Sequence, residues 1–430
     1  MAEPALALPP PQTRRAEDDL LALLMATRDL TLDLAAPLEP EDMVAQAMEE
    51  ASPTKWHLAH TTWFFETFVL APFLPAYRLF DPAFGYCFNS YYEAAGARQP
   101  RPKRGLLTRP TLDRVLGYRR HVDDALQTLL EAGAPQEARR RIELGVHHEQ
   151  QHQELLLTDI LALFAANPLR PAYRPARPRL AGRAPEPMRW LSFAGGVTPI
   201  GHGGTGFRFD NEAPRHEALI APFRLADRPV ANAEWLEFIA DGGYRTATLW
   251  LSDGWDRAQR EGWRAPAYWE RRDGEWLAMT LEGLAPLAPD APVAHVGFYE
   301  ADAFARWAGK RLPTEFEWEA AAALAPVAGN LLASGALRPL AAAEPLRRRP
   351  RQMFGDVWEW TASAHLPYPG YEPPPGAIGE YNAKFMCDQH VLRGGSCLTP
   401  PGHIRPSYRN FLYARQRWQC SGLRLAAEAR

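Results

Sequence analysis

The sequence predicts an α+β protein with two domains, an N-terminal four-helix bundle followed by a mixed, loop-rich domain. The chain has 430 residues, which is about two to three times the length of a typical domain. Helical periodicity dominates residues 15–166, whereas short apolar runs separated by Gly, Pro, Asn and Asp follow Met188. Between these parts, residues 167–187 carry a proline at every second to fourth position, which neither a helix nor a central strand sustains.

Four segments of the N-terminal part place Leu, Ala and Arg at helical spacings. Ser52 and Pro53 are suited to the N-cap and first turn of one helix, and Thr111 is suited to the N-cap of another. Helices of this length favour an antiparallel bundle. The predicted helices cover residues 16–33, 54–70, 110–132 and 136–166.

The C-terminal part is predicted to contain mainly short strands and turns. Only residues 231–240 and 296–307 show a clear helical pattern there. The predicted organisation is a disordered tail (1–14), a bundle (15–166), a linker (167–187) and a mixed domain (188–430).

Charge and hydropathy exclude several classes of partner. The 48 Lys and Arg residues nearly balance the 51 Asp and Glu residues, so no overall field attracts nucleic acid or anionic lipid. The N-terminus lacks the pattern of a secretory signal, and no apolar run is long enough to span a membrane. We therefore expect a cytoplasmic protein with small-molecule partners, while its oligomeric state stays open.

The strongest chemical signal is the segment GVHHEQQHQELLLTDI. His148 and His152 stand four residues apart in a helical pattern and therefore lie on one face, where two imidazoles can share a metal ion. A third candidate, His60, lies on an otherwise apolar helix, where a buried histidine needs a partner. His57 and His147 point about 100° away from these candidates and are expected in an outer shell or at the surface.

The same segment contains H-E-x-x-H, the zinc-peptidase signature in which Glu149 would be the general base. Peptidases with this motif take a third ligand downstream of it. Here Leu155 replaces the expected glycine, and the next 30 residues run into the proline-rich linker with Glu154 as the only early acid. A three-histidine site with open coordination positions therefore explains the pattern better, although imidazole alone suits zinc, copper, nickel and iron.

Several segments together resemble the ergothioneine-biosynthesis sulfoxide synthases, the EgtB family. The resemblance spans residues 15–428, and it implies a DinB-like bundle followed by a C-type-lectin-like domain of the formylglycine-generating-enzyme type. The matching segments are SPTKWHLAHTTWFFETF, HHEQQHQE, FNSYYEAAG, FRFDNEAPRH, DGGY, LWLSDGW, RLPTEFEWEAAA, FGDVWEWTAS, PYPGY, VLRGGS and RPSYRNF.

The resemblance implies a mononuclear non-heme Fe(II) enzyme. Such an enzyme uses O2 to couple hercynine, the trimethylated betaine of histidine, to a thiol and gives a sulfoxide. Its iron would be held by His60, His148 and His152, and its active site would lie between the two domains.

The resemblance also implies roles for tyrosine and glutamine side chains. Gln151 matches a glutamine that contacts hercynine. Tyr91 and Tyr92 match a pair near the iron, where a phenol could donate a proton, although another branch places its catalytic tyrosine near the position of Tyr371. Without the resemblance, the tyrosine pair would be read as an aromatic loop packed on the bundle.

The remaining implied residues concern the two substrates. Arg98 and Arg101 match arginines that hold the carboxylate of the sulfur donor, while the alternative is a solvated basic loop with Lys103 and Arg104. The resemblance assigns Asn410 and Phe411 to the betaine, and an aromatic face suits a quaternary ammonium.

The donor is left open by the sequence. Leu412 stands where enzymes that use γ-glutamylcysteine carry an aspartate, which disfavours that donor and favours cysteine. Selenoneine synthases, which join hercynine to a selenosugar, and ovothiol synthases share the architecture.

Two further alternatives concern the C-terminal domain alone. A formylglycine-generating oxidase needs two closely spaced cysteines for copper, whereas Cys397 and Cys420 are 23 residues apart and no C-x-x-C occurs. We expect free thiols. A carbohydrate-binding lectin leaves the three histidines unexplained.

Overall fold

The computed structural model describes residues 11–177, 182–343 and 349–429, and side chains from residue 19 onwards. The chain divides into two compact units, one ending at Leu156 and the other beginning at Leu157. The first ten residues of the predicted tail lie outside the described residues. The rest of that tail belongs to a helix that begins at Pro11.

The first unit is helical, as the periodicity predicted. Its helix of residues Gln136–Ala166 has the predicted bounds and continues into the second unit. The described helices are α1 (Pro11–Ala35), α2 (Thr54–Phe65), α3 (Ala71–Phe73), α4 (Phe84–Phe88), α5 (Leu112–Glu131) and α6 (Gln136–Ala166).

Two local features explain how the site-bearing part of the bundle forms. All twelve side chains of α2 are buried, so this helix runs through the core, and it continues into a π-helical turn at Glu66–Leu70. The Thr111 side chain accepts a hydrogen bond from the backbone N–H of Arg114 (3.3 Å) and begins α5 as predicted. The helices that supply the candidate ligands are thus α2 and α6.

The second unit is mixed, with sheets and short helices. Its described helices are α7 (Asn232–Ala240), α8 (Ser252–Arg260), α9 (Phe298–Trp307) and α10 (Glu315–Ala322). The predicted helices correspond to α7 and α9, whereas α8 and α10 were not predicted. A capping box begins α10, in which Thr314 and Glu317 exchange side-chain to backbone hydrogen bonds of 3.1 and 2.8 Å.

Four sheets occur among the described residues. They have the strand orders β1-β4-β12, β10-β9-β8-β11, β2-β3 and β5-β6-β7, and the pairing is antiparallel except between β8 and β11. The strands are β1 (Trp190–Phe193), β2 (Gly196–Ile200), β3 (His216–Ile220), β4 (Phe223–Ala226), β5 (Trp269–Arg272), β6 (Glu275–Thr280), β7 (Gly283–Pro286), β8 (Trp358–Ala364), β9 (Gln389–Arg393), β10 (Asn410–Tyr413), β11 (Ser421–Leu423) and β12 (Ala426–Glu428).

The core of the second unit brings two distant cysteines together. The Sγ atoms of Cys397 and Cys420 lie 3.7 Å apart, and both side chains are buried. All four cysteines are free thiols, as expected. The separation of 23 residues along the chain therefore did not predict that the two thiols are neighbours. Among the described helices, none combines the length and the apolar character that crossing a membrane requires.

Candidate metal centre and substrate residues

Three histidine side chains meet inside the first unit. His60 comes from α2, and His148 and His152 come from successive turns of α6. One nitrogen of each imidazole lies within 4.8 Å of the others. His60 and His148 are buried and His152 is half-buried. The structure thus brings together the set of candidate ligands that the spacing and the apolar helix pattern predicted.

A glycine allows the two helices to approach closely at this point. A Cβ atom added to Gly145, one turn before His148, would lie 2.3 Å from a ring carbon of Phe65 on α2. A larger residue at position 145 would therefore displace the Phe65 ring or the helix that carries it. This close approach places His60 within reach of the α6 histidines.

Hydrogen bonds determine which nitrogen of His60 is available. Its Nδ1 atom lies 2.6 Å from the carbonyl oxygen of Phe88, which only accepts, so Nδ1 carries the hydrogen. The Nε2 atom then holds a lone pair, and it lies 3.2 Å from Nε2 of His148. Two nitrogen atoms that face each other so closely suit a shared cation.

The surroundings keep the three imidazoles neutral. Burial lowers the pKa of His148 to about 3 and also lowers the pKa of His60 and His152. The rings of Trp56 and Trp63 stack on His60, with centroid distances of 4.5 and 5.6 Å. Neutral imidazole is the form that binds metal, so three such ligands fit a divalent transition metal and leave coordination positions open.

Glu149, the base of the alternative peptidase hypothesis, faces a different set of side chains. Its Oε2 accepts a hydrogen bond from Arg28 (2.9 Å), and its Oε1 accepts from Thr31 (2.7 Å) and from Arg119. Burial alone would raise the pKa of Glu149, but the Arg119 and Arg28 guanidinium groups hold it at about 2. This carboxylate is bound on both oxygens by a structural network, so it is unsuited to act as a general base.

Tyr91 and Tyr92 lie in the turn that follows Phe88, whose carbonyl oxygen accepts the hydrogen bond from His60. Tyr92 is fully buried, and its ring stacks on that of Tyr91 with a centroid distance of 4.6 Å. The side chain of Asn89 holds the turn, because it accepts from the Tyr92 N–H (3.0 Å) and donates to the Tyr92 carbonyl (2.9 Å). The Tyr92 ring lies 5.8 Å from that of Trp63, which also stacks on His60.

The basic segment after the tyrosines has two kinds of arginine. Arg98 is half-buried and pairs with Glu93, and exposed Arg101 donates to the carbonyl of Glu50 (3.4 Å). Arg104 differs, because its side chain is buried and its guanidinium carbon lies 3.5 Å from the ring centroid of Trp56. The alternative of a solvated basic loop is thus wrong for Arg104. Nothing in the residue pattern distinguished it from its neighbours.

Gln151 precedes His152 on α6 and is half-buried. In the second unit, the Tyr371 hydroxyl donates to Asp210 (2.7 Å), and the Phe411 ring stacks on His365 at 4.1 Å. Asn410, beside Phe411, accepts the Phe411 N–H (2.9 Å) and lies on the edge strand β10.

A short network connects the surroundings of Tyr371 and Phe411. Asp210 also accepts from Asn382, and the next residue, Asn211, lies 3.3 Å from Nε2 of His365. Sequence reasoning did not single out these polar residues. The quoted segment FRFDNEAPRH, which contains both Asp210 and Asn211, was the signal that could have found them.

Two family models match the chain, one in each unit. A DinB superfamily model matches residues 23–156, and a sulfatase-modifying factor enzyme 1-like domain matches residues 183–341 and 333–429. The fold and the site therefore define a two-domain protein in which a DinB-type helical region with a three-histidine cluster precedes a β-rich domain of the sulfatase-modifying-factor type.

Curated proteins resemble the chain over both units. A protein named hercynine oxygenase from Mycobacterium tuberculosis is 33% identical over 438 residues, covering 95% of this chain and 98% of that protein. A hercynine oxygenase from Mycolicibacterium smegmatis is 39% identical over 316 residues, 66% of this chain and 71% of that protein. Ergothioneine biosynthesis protein 1 of Schizosaccharomyces pombe is 28% identical over 232 residues, which cover 51% of this chain and 27% of that protein. The chain belongs to the hercynine oxygenase family.

Proposed function

We propose that the protein is a non-heme Fe(II)- and O2-dependent enzyme that joins hercynine to a thiol and gives a hercynine sulfoxide in ergothioneine biosynthesis. The observation that carries this proposal is the three-histidine cluster in a member of the hercynine oxygenase family. Three neutral imidazoles without a carboxylate suit a metal that must also accept exogenous ligands.

His60, His148 and His152 would hold the iron. Bound Fe(II) supplies the site for O2 activation and for thiol binding. The carbonyl of Phe88 orients His60 by accepting its Nδ1 hydrogen (2.6 Å), and the stacked indole rings keep water away from that imidazole.

Tyr92 is proposed as the proton donor, with Tyr91 stacked against it. Its ring contacts Trp63 beside the histidine cluster, and Asn89 holds its backbone at both the N–H and the carbonyl. Tyr371 is less suited to this role, because its hydroxyl hydrogen already binds the Asp210 carboxylate.

The proposed substrate contacts follow the chemistry of the side chains. Phe411 would meet the trimethylammonium group of hercynine through a cation–π contact, with Asn410 and Gln151 as polar partners. Arg98 and Arg101 would bind the carboxylate of the donor. Leu412 cannot pair with the ammonium group of a γ-glutamyl donor, which supports cysteine as the preferred donor.

A competition experiment tests this proposal. Protein loaded anaerobically with Fe(II) receives hercynine, O2 and equal amounts of cysteine, γ-glutamylcysteine and a selenosugar, and mass spectrometry identifies the products. The expected product is the cysteine–hercynine sulfoxide, and His148→Ala is the inactive control. A selenium-containing product in preference would instead make the protein a selenoneine synthase. Absence of hercynine binding and of any coupling would refute the proposal.

A further inference from the structure

A buried arginine stands next to the metal centre without belonging to the proposed ligands or substrate contacts. The Arg104 side chain is 2% exposed. It donates to the hydroxyl of Ser52 (2.9 Å) and to the carbonyl of Ser90 (3.5 Å), and its guanidinium lies over the ring of Trp56. Arg104 therefore has a single, well-defined position in the core of the first unit.

The ring under Arg104 touches a candidate ligand directly. Trp56 stands one turn before His60 on α2, and the two rings are 14° from parallel with centroids 4.5 Å apart. Trp63 stands one turn after His60, and its ring is 19° from parallel. A guanidinium, an indole, an imidazole and a second indole thus form one stack, which we call the Arg104 stack (Arg104, Trp56, His60, Trp63).

The charge of the Arg104 guanidinium is permanent and is poorly screened because it is buried. Glu149, which follows His148 on α6, is engaged by Arg28 and Arg119. Within the described residues, the three-histidine cluster contains no carboxylate. A metal ion bound there would therefore have the Arg104 cation near it and no carboxylate among its three histidine ligands.

We propose that Arg104 is a positioning residue that sets the charge of the metal centre. Through the Arg104 stack it orients the His60 ring. Its positive charge favours the reduced metal and an anionic metal ligand such as a thiolate or selenolate. This inference rests on the proposed metal site. A nearby fixed positive charge destabilises Fe(III) more than Fe(II), because Coulomb repulsion grows with the charge of the metal. The same charge attracts an anion that binds to the metal.

The test compares Arg104→Gln and Arg104→Lys with Lys103→Gln, which removes an exposed charge from the adjacent position. Azide binding to the Fe(III) protein, followed by its charge-transfer absorption, and the Fe(III)/Fe(II) midpoint potential are measured. We expect Arg104→Gln to weaken azide binding about tenfold and to lower the potential. Arg104→Lys retains the charge and should stay within about twofold for azide, while Lys103→Gln should match the parent protein.

Each outcome decides a separate point. If Arg104→Gln binds iron but has the azide affinity and potential of the parent, or if Arg104→Lys falls as far as Arg104→Gln, the inference is overturned. If the parent protein itself binds no iron, the proposed metal site fails instead. If Arg104→Gln does not fold, Arg104→Met replaces it in the test, because methionine fills the space over Trp56 without a charge. The expected azide affinity and potential are the same as for Arg104→Gln.

Discussion

The Nδ1 atom of His57 lies 2.9 Å from the Nδ1 atom of His152. If His152 binds a metal through Nε2, its Nδ1 carries the hydrogen and donates it to His57, which must then accept. His57 is buried, so this contact persists away from bulk water. The contact is compatible with the outer-shell role that the helix geometry predicted for His57.

Replacing His57 with phenylalanine should weaken metal binding by about 10- to 100-fold, because His152 loses the acceptor that orients its ring. Competition between the protein and a chelator for Co(II) measures this affinity. His121→Gln, on α5, is the matched control and should bind Co(II) like the parent protein. Equal affinities for the His57 variant would remove this residue from the outer shell.

Each of His60→Ala, His148→Ala and His152→Ala should abolish iron loading, because two imidazoles remain where three converge. Metal analysis of the purified variants after anaerobic loading provides the measurement. A variant that retains full iron content and turnover would show that its histidine is not a ligand.

Glu149→Gln should lower the free energy of unfolding by about 3–5 kcal/mol, because it leaves the charges of Arg28 and Arg119 without their buried counterion. The fold holds the pKa of Glu149 at about 2, below the usual 4.5. Glu149 therefore stabilises the fold above about pH 4.5, and this contribution is lost as the pH falls towards 2.

Urea unfolding at several pH values measures both effects. The loss of stability between pH 4.5 and 3 should be smaller in Glu149→Gln than in the parent protein, whereas Glu137→Gln, at the exposed start of α6, should behave like the parent. Any peptidase activity that disappears in Glu149→Gln would contradict the structural role described above.

Tyr92→Phe should reduce oxidative coupling by about 10²- to 10⁴-fold and divert the thiol to uncoupled oxidation, because the proposed proton donor is lost. Product ratios and O2 consumption measure this change. Tyr86→Phe is a control, since that ring is 47% exposed. Unchanged product ratios in Tyr92→Phe would exclude an acid role for this phenol.

Phe411→Leu should weaken hercynine binding by about 5- to 30-fold, because a leucine side chain offers no π face to the trimethylammonium group. Calorimetric titration with hercynine and with unmethylated histidine separates this effect from general damage to the site. Equal losses for both ligands would show that Phe411 acts through packing alone.

The sequence predicted what is periodic or local. The helix bounds of α6 and the shared face of His148 and His152 follow from spacing alone, and His60 followed from the need of a buried imidazole for a partner. The short helix α10 was missed because eight residues give little periodicity, although its capping box was visible in RLPTEFEWE.

Contacts between residues far apart along the chain were not predictable in this way. Cys397 and Cys420 are neighbours in space because the second unit folds their segments onto the start of β8, where Asp356 accepts a hydrogen bond from the backbone of Cys397 (3.1 Å). Arg104 is equivalent to Arg101 in composition and charge. The contacts of the Arg104 guanidinium with Trp56 and Ser52 distinguish it from the exposed guanidinium of Arg101.

The turn after α4 positions both a proposed metal ligand, His60, and the proposed proton donor, Tyr92. The Phe88 carbonyl orients His60, and the adjacent Asn89 side chain clamps Tyr92. An insertion or deletion within residues 88–92 would displace the His60 imidazole and the Tyr92 phenol at the same time. In a chimera of two relatives, this turn should therefore be exchanged as one unit, together with helix α2, which carries His60.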